Sequence, residues 1–160
     1  MNIAALLAGL TLALATFGSA YAGNEAVAGS WKLMSFKVQA SDTKETKDAL
    51  GPNPTGRMIL TPNGYITIYR VAGDRKPAKT DAERLALLQS MAVWTGRYRV
   101  EGDKLLIRID GSWIEVLTNT DTERTFVRDG KKLTLTNTIA SSLFFPGRPA
   151  VGTEVFELEE

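Results

Sequence analysis

Beyond residue 22 the apolar positions recur mostly with a period of two, in short runs rich in β-branched and aromatic residues and separated by turn formers. Such alternation puts successive side chains on opposite faces of a strand, and the run lengths suit strands. Eight segments are expected: Ser30 to Gln39, Gly56 to Thr61, Tyr65 to Val71, Thr95 to Val100, Lys104 to Asp110, Thr122 to Arg128, Lys131 to Asn137 and Thr153 to Leu158. Pro62-Asn63-Gly64, Glu101-Gly102-Asp103 and Asp129-Gly130 supply tight turns, because proline fixes φ and asparagine or glycine tolerates positive φ. Ala40 to Thr55, with Gly51-Pro52-Asn53-Pro54, reads as a polar loop. "GSWIEVLTNT" fits a strand extension, a bulge or a short helix at a rim.

One segment breaks the period. Thr80-Asp81-Ala82-Glu83 has the form of a capping box, and Leu85, Leu88 and Ala92 follow at helical spacing. This predicts one helix between the third and fourth strands, its apolar face packed on a sheet or closing a barrel end. The expected fold class is all-β, an eight-stranded antiparallel up-and-down barrel with that one helix, because closure leaves no unpaired edge. A β-sandwich is the second architecture compatible with the pattern. An eight-stranded barrel is either filled by side chains or just wide enough for one small ligand.

Residues 1–22 read differently. Asn2 to Ala22 contain no Lys, Arg, Asp or Glu, run apolar from Ile3 to Phe17, and end in Ala20-Tyr21-Ala22, a small-x-small cleavage pattern. A secretory signal peptide cleaved before Gly23 is expected, and with it a periplasmic or secreted location; an uncleaved anchor is the rival reading. Removing 22 of the 160 residues leaves 138, the length of one domain, residues 23–160. No later segment is apolar enough to span a membrane, so no stable span is expected after cleavage.

The formal net charge of +1 offers no basic excess for a polyanion, and nucleic acid is not an expected partner. The chain has neither cysteine nor histidine. Disulfides, thiolate metal sites and thiol or imidazole catalysis are excluded, and no cofactor or metal site is expected. Asp110, Glu115 and Glu123 are the acidic candidates for proton transfer, but no pair has a spacing that fixes an acid and a base, so no catalytic residue is assigned.

Alternation sorts the strand residues into faces. Arg124 and Phe126 share a face, as do Leu133 and Leu135, Tyr98 and Val100, and Leu105, Ile107 and Ile109; these are expected inside. Tyr65, Thr67 and Tyr69 oppose Ile66, Ile68 and Arg70, and either set could line a cavity. Trp94, Trp113, Phe144 and Phe145 fall in or beside loops, where aromatics could grip an apolar molecule at a mouth or cap the core. The candidate ligand-binding set is Tyr69, Trp94, Tyr98, Ile107, Trp113, Phe126 and Leu135.

Gly29-Ser30-Trp31, at the start of the first strand, resembles the Gly-x-Trp signature of calycins. "GSWKLMSF", "GPNPTGRMILTPNGY", "WTGRYRVEGDKLLIRIDGS" and "ERTFVRDGKKLTLT" follow in an order similar to that of the bacterial lipocalin-like domain family. The resemblance covers Gly29 to Leu158. It implies a lipocalin-like barrel whose closed end is plugged by Trp31 with Gly29, beneath a late-strand arginine for which Arg124 is the best-placed candidate. It also implies an exported protein that binds a small hydrophobic molecule inside the barrel. Two alternatives stay open: a lipocalin-like isomerase or cyclase acting on a small apolar substrate by confinement, and a structural envelope protein with a filled barrel. The sequence fixes neither the ligand nor the oligomeric state.

Overall fold

The computed structural model describes residues 23–140, 142 and 144–159; the expected leader, residues 1–22, lies outside them. Nine strands form one sheet: β1 (Gly29–Ala40), β2 (Thr46–Asp48), β3 (Thr55–Leu60), β4 (Tyr65–Val71), β5 (Met91–Glu101), β6 (Lys104–Ser112), β7 (Asp121–Asp129), β8 (Lys132–Ile139) and β9 (Ala150–Leu158). From β3 to β9 each strand pairs antiparallel with the next, β1 pairs with β3, and the sheet closes where β1 pairs with β9. The result is an eight-stranded antiparallel barrel, with β2 added outside the ring along Lys37 to Gln39 of β1.

The helix α1 (Asp81–Gln89) follows β4 and not the third strand: β2, absent from the expected eight, adds one strand before it, while the segments that flank it, Tyr65–Val71 and Met91–Glu101, correspond to the expected third and fourth. The polar stretch read as a loop contains β2. A strand of three exposed polar residues carries no alternation, and it exists because the free edge of β1 supplies its partners. The packing expected of the helix also differs. Leu85 and Leu88 are exposed, no residue of α1 is buried, and Ala92 belongs to β5. Local bonds hold the helix instead: the Glu83 amide donates to the Thr80 hydroxyl (3.2 Å), while the Glu83 carboxylate accepts from the amides of Thr80 (2.9 Å) and Lys79 (2.7 Å).

The alternation comes out cleanly in burial. Ile66, Ile68 and Arg70 of β4 point inward and Tyr65, Thr67 and Tyr69 outward; in β6 Leu105, Ile107 and Ile109 are buried and Arg108 is exposed. In β1 a bulge between Leu33 and Ser35 shifts the phase. Trp31 and Leu33 face inward before it, Val38 and Ala40 after it, and Met34 turns to solvent. The main core packs Trp31, Leu33, Met58, Leu60, Ile66, Ile68, Trp94, Tyr98, Leu105, Ile107, Leu133, Leu135 and Phe156 together inside the ring.

Ladder irregularities demand glycine at one place in particular. The β5–β6 register shifts between Thr95 and Gly96, and a Cβ on Gly96 would lie 2.0 Å from the Arg108 carbonyl oxygen. That neighbour is backbone and cannot rotate away. Gly96→Ala is therefore expected to lower the unfolding free energy by about 2 kcal/mol or more in urea titration, whereas Gly111→Ala, which meets nothing within 4 Å, should stay within about 0.5 kcal/mol. Equal effects at the two positions would contradict the backbone packing described.

Candidate functional site

The barrel interior has three levels, and the lowest is a plug. A helical turn at residues 23–25 brings Val27 beneath the ring, where its carbonyl accepts the Trp31 indole N–H at 2.8 Å. The carboxamide of Asn24 ties the turn to two hairpins, donating to the Pro62 carbonyl (3.3 Å) and accepting from the Val100 amide (3.0 Å). Gly29, at φ 146, holds a backbone conformation that L side chains rarely adopt, and a Cβ there would also displace Leu158 Cδ1, 2.7 Å away. Trp31 is fully buried and carries the Arg128 guanidinium 5.3 Å from its ring centroid, and Arg128 also donates to the Ala26 carbonyl.

That arginine replaces the expected one. Arg124, Phe126 and Arg128 share one phase of β7, but the chain runs toward the plugged end, where Arg128, itself exposed, reaches over the indole. Arg124 stands four residues earlier, about 13 Å away along an extended strand.

The middle level is charged. Arg70 of β4 and Arg124 of β7 both donate to Oε1 of Glu154 on β9, at 2.6 and 2.9 Å, and Arg124 also donates to Asn137 Oδ1 of β8 at 2.9 Å. The side chains are 7% exposed for Arg70, 11% for Arg124 and 1% for Glu154. The cross-strand partners of Arg70 are Gly56 and Ala92, small residues beside a long cation. Its guanidinium lies 5.1 Å from the centroid of Phe36. Among the described residues, Arg70 Nε and Glu154 Oε2 of this layer are buried without a hydrogen-bond partner. Burial pulls the Arg124 guanidinium below its ordinary value, Glu154 opposing the effect and Arg70 adding to it.

Above the charged layer a second cluster joins Val38, Ala40, Ala150 and Phe145, flanked by Phe36, Ala49, Ile139 and Phe144. Phe145 is gripped from outside by two cations. Lys47 Nζ sits 4.5 Å from its centroid, and the Arg148 guanidinium 5.6 Å from it. Arg148 is fixed in turn by Asp42, whose two oxygens accept from its Nε (3.0 Å) and Nη2 (2.5 Å). These hydrogen bonds, with the Thr43 amide, hold the Asp42 carboxyl at about 2, below its ordinary 3.8.

Of the candidate ligand residues, Trp94, Tyr98, Ile107 and Leu135 lie buried in the main core, and Phe126 packs against it half-buried. Tyr98 donates its hydroxyl to the Thr61 carbonyl (2.8 Å), and burial, helped by Glu25, pushes its phenol up to about 12. Tyr69 and Trp113 do not join them: both are exposed on the outside, Tyr69 because Ile68 and Arg70 take the inward phase of β4. Trp113 instead borders an outer, largely apolar groove of about 670 Å³ with Met91, Val93 and Thr67. Asp110, Glu115 and Glu123 are exposed at separate places on the outside. The residues that sequence reasoning missed are Glu154, Asn137 and the inward placement of Arg70. Their signal was a polar or charged residue in phase with the apolar face of its strand.

Among the described residues no group of three or more carboxylates could hold a metal ion, and no helix is long and apolar enough to cross a membrane.

An eight-stranded antiparallel barrel, plugged at one end by a first-strand tryptophan under an arginine, defines the architectural class. The sequence profile of the family described as lipocalin-like domain matches residues 28–150, and the chain belongs to that family. Its fold is accordingly of the kind that binds small molecules in lipocalins. A comparison with curated proteins gave no match.

Two measurements check this geometry. In a double-mutant cycle on stability, Trp31→Leu with Arg128→Met should show a coupling of about 0.5 to 2 kcal/mol, and Trp31→Leu with Arg124→Met a coupling near zero; the reverse order would restore Arg124 as the cover. Asp42, with its folded pKa depressed, contributes to stability above pH 3.8, and the contribution is lost as pH falls toward about 2. NMR titration should place its midpoint near 2 and return it toward 3.8 in Arg148→Met; an unmoved midpoint would refute the clamp.

Proposed function

We propose that this protein is an exported carrier that holds one small, largely hydrophobic molecule inside the barrel. The observation that carries the reading is the layering of the interior, an apolar core that ends in a single polar layer with two unpartnered atoms, Arg70 Nε and Glu154 Oε2. Buried polar groups are nearly always satisfied, so such atoms mark where a polar end of another molecule, or water, belongs. A molecule with an apolar body and one polar end matches both the layer and the core beside it. Trp31 and Val27 fill one end and the buried cluster of Val38, Ala40, Phe145 and Ala150 covers the other, so entry at the Phe145 end requires that cluster to move aside.

Export rests on the leader and finds support at the residue after the expected cleavage point. Chain from Gly23 onward is already part of the barrel, with Asn24 buried and bonded across two hairpins, so cleavage before Gly23 would leave these plug bonds in place. A periplasmic or secreted location follows. An isomerase or cyclase using Tyr98 as a base has less support, because that phenol is neutral at physiological pH and already donates to a backbone carbonyl.

Native mass spectrometry of the full-length gene product, isolated from its producing cells, tests both parts. The expected result is a polypeptide beginning at Gly23, below the 17.4 kDa of the 160-residue sequence, with one small apolar molecule released on organic extraction. A chain retaining Met1 would overturn cleavage before Gly23 and favour the uncleaved anchor. A ligand-free protein whose melting temperature is unmoved by an apolar fluorescent probe would favour a filled structural barrel.

A further inference from the structure

On the outside of the barrel, Arg97, Arg99 and Arg108 line a groove of about 500 Å³. Tyr65 of β4, Arg97 of β5, Arg108 of β6 and Asp121 of β7 stand in one cross-strand row. In the next row Arg99 faces the half-buried Leu106, with Glu123 beyond it. Like charges placed directly opposite each other on adjacent strands repel, so the pairing of Arg97 with Arg108 works against the fold. The ladder cannot relieve it: slipping β5 by one residue would turn Trp94 and Tyr98 out of the core.

The carboxylates around this groove are already engaged. Glu101 accepts from Arg99 Nε (2.7 Å), Asp121 from Arg108 Nη1 (3.1 Å), and Glu123 pairs with Lys104 (2.7 Å). Asp110, two residues beyond Arg108, does not line the groove. Arg97 is held differently. Its guanidinium lies 3.8 Å from the Tyr65 ring centroid, and among the described residues its side chain makes no hydrogen bond or ion pair. Stacking on a ring positions a guanidinium while leaving its N–H donors free. Across the ladder, Arg108 spends only Nη1 among the described residues, so its Nε–Nη2 edge is open to grip two oxygens at once.

Two open guanidiniums side by side suit a tetrahedral oxyanion better than a carboxylate. A phosphate monoester presents three acceptor oxygens and about 1.5 to 2 negative charges at pH 7. We propose that this groove binds a phosphate monoester group, carried either by a small soluble molecule or by a lipid headgroup. Arg97 and Arg108 grip its oxygens from adjacent strands, Arg99 adds positive charge, and Leu106 is the apolar surface beside the ester carbon. The site lies outside the barrel and is independent of the carrier reading.

Titration of the purified protein at pH 7 and low ionic strength tests it, with amide shifts followed by NMR. Glycerol 3-phosphate is the soluble probe, and phosphatidylcholine vesicles with and without phosphatidic acid, read by co-sedimentation, are the lipid probe. Glycerol 3-phosphate is expected to saturate, shifting Arg97 and Arg108, and to bind about tenfold more tightly than acetate. Arg97→Gln should weaken it about tenfold, Arg97→Lys less, and Arg75→Gln, an exposed arginine elsewhere, not at all. Binding only to the phosphatidic-acid vesicles, lost in Arg97→Gln, would assign the headgroup as the source. Circular dichroism checks folding, and Arg108→Gln serves equally if Arg97→Gln does not fold. Binding that survives both glutamine variants, equal affinity for acetate, or no saturable binding of either phosphate probe would overturn the site.

Discussion

Closure of the barrel depends on β1. Its first residues pair with β3, and from Trp31 to Ala40 it pairs with β9, with one bulge to keep the inward phase along a strand that spans the full height of the barrel. Once the ring is closed, every strand must choose which half of its side chains to enclose, and the choice is set by the pleat. The same constraint that buries Leu105, Ile107 and Phe156 also buries Arg70, Arg124 and Glu154, because each lies two residues from an inward apolar neighbour. Those three charges are inside because slipping any strand by one residue would expose its apolar set.

Their enclosure needs a reason beyond phase. Replacing a buried ion cluster with well-packed apolar residues is commonly neutral or stabilising, so such a cluster is weak evidence of a stability role. Here the cluster is also incompletely satisfied and unequal in charge, which makes it still less useful as scaffold. Unpartnered buried atoms of this kind are where the polar end of another molecule, or water, fits. The scaffold around the layer is independent of it: the plug below is held by the indole bond to Val27 and the Asn24 ties, the mouth above by the Asp42–Arg148 pair. A site whose own bonds are unfinished thus sits between two ends whose bonds are complete.

Much of the ring was legible in the chain, because alternation and turn residues act locally and agree with one another. Gly64 at φ 85 closes the β3–β4 turn as Pro62-Asn63-Gly64 implied, and the faces of β6 follow its pattern residue by residue. What escaped was set by partners distant in sequence. β2 is polar throughout and is a strand only because β1 offers an edge. The apolar residues of α1 suggested packing, but the capping box is enough to hold a short exposed helix. In the site, β4 looked ambiguous because tyrosines and isoleucines are both compatible with a cavity wall; only the ring decides that Arg70 goes in and Tyr69 out. The choice between Arg124 and Arg128 likewise required the position of β7 along the barrel, which spacing alone does not carry.

The central claim is that the barrel interior receives a small molecule rather than being filled by its own side chains. The most direct measurement is a high-resolution crystal structure of the protein isolated from its producing cells. The account predicts a non-protein molecule inside the barrel, in hydrogen-bond contact with Arg70 Nε or Glu154 Oε2. An interior filled by side chains, with water alone at those two atoms, would contradict it.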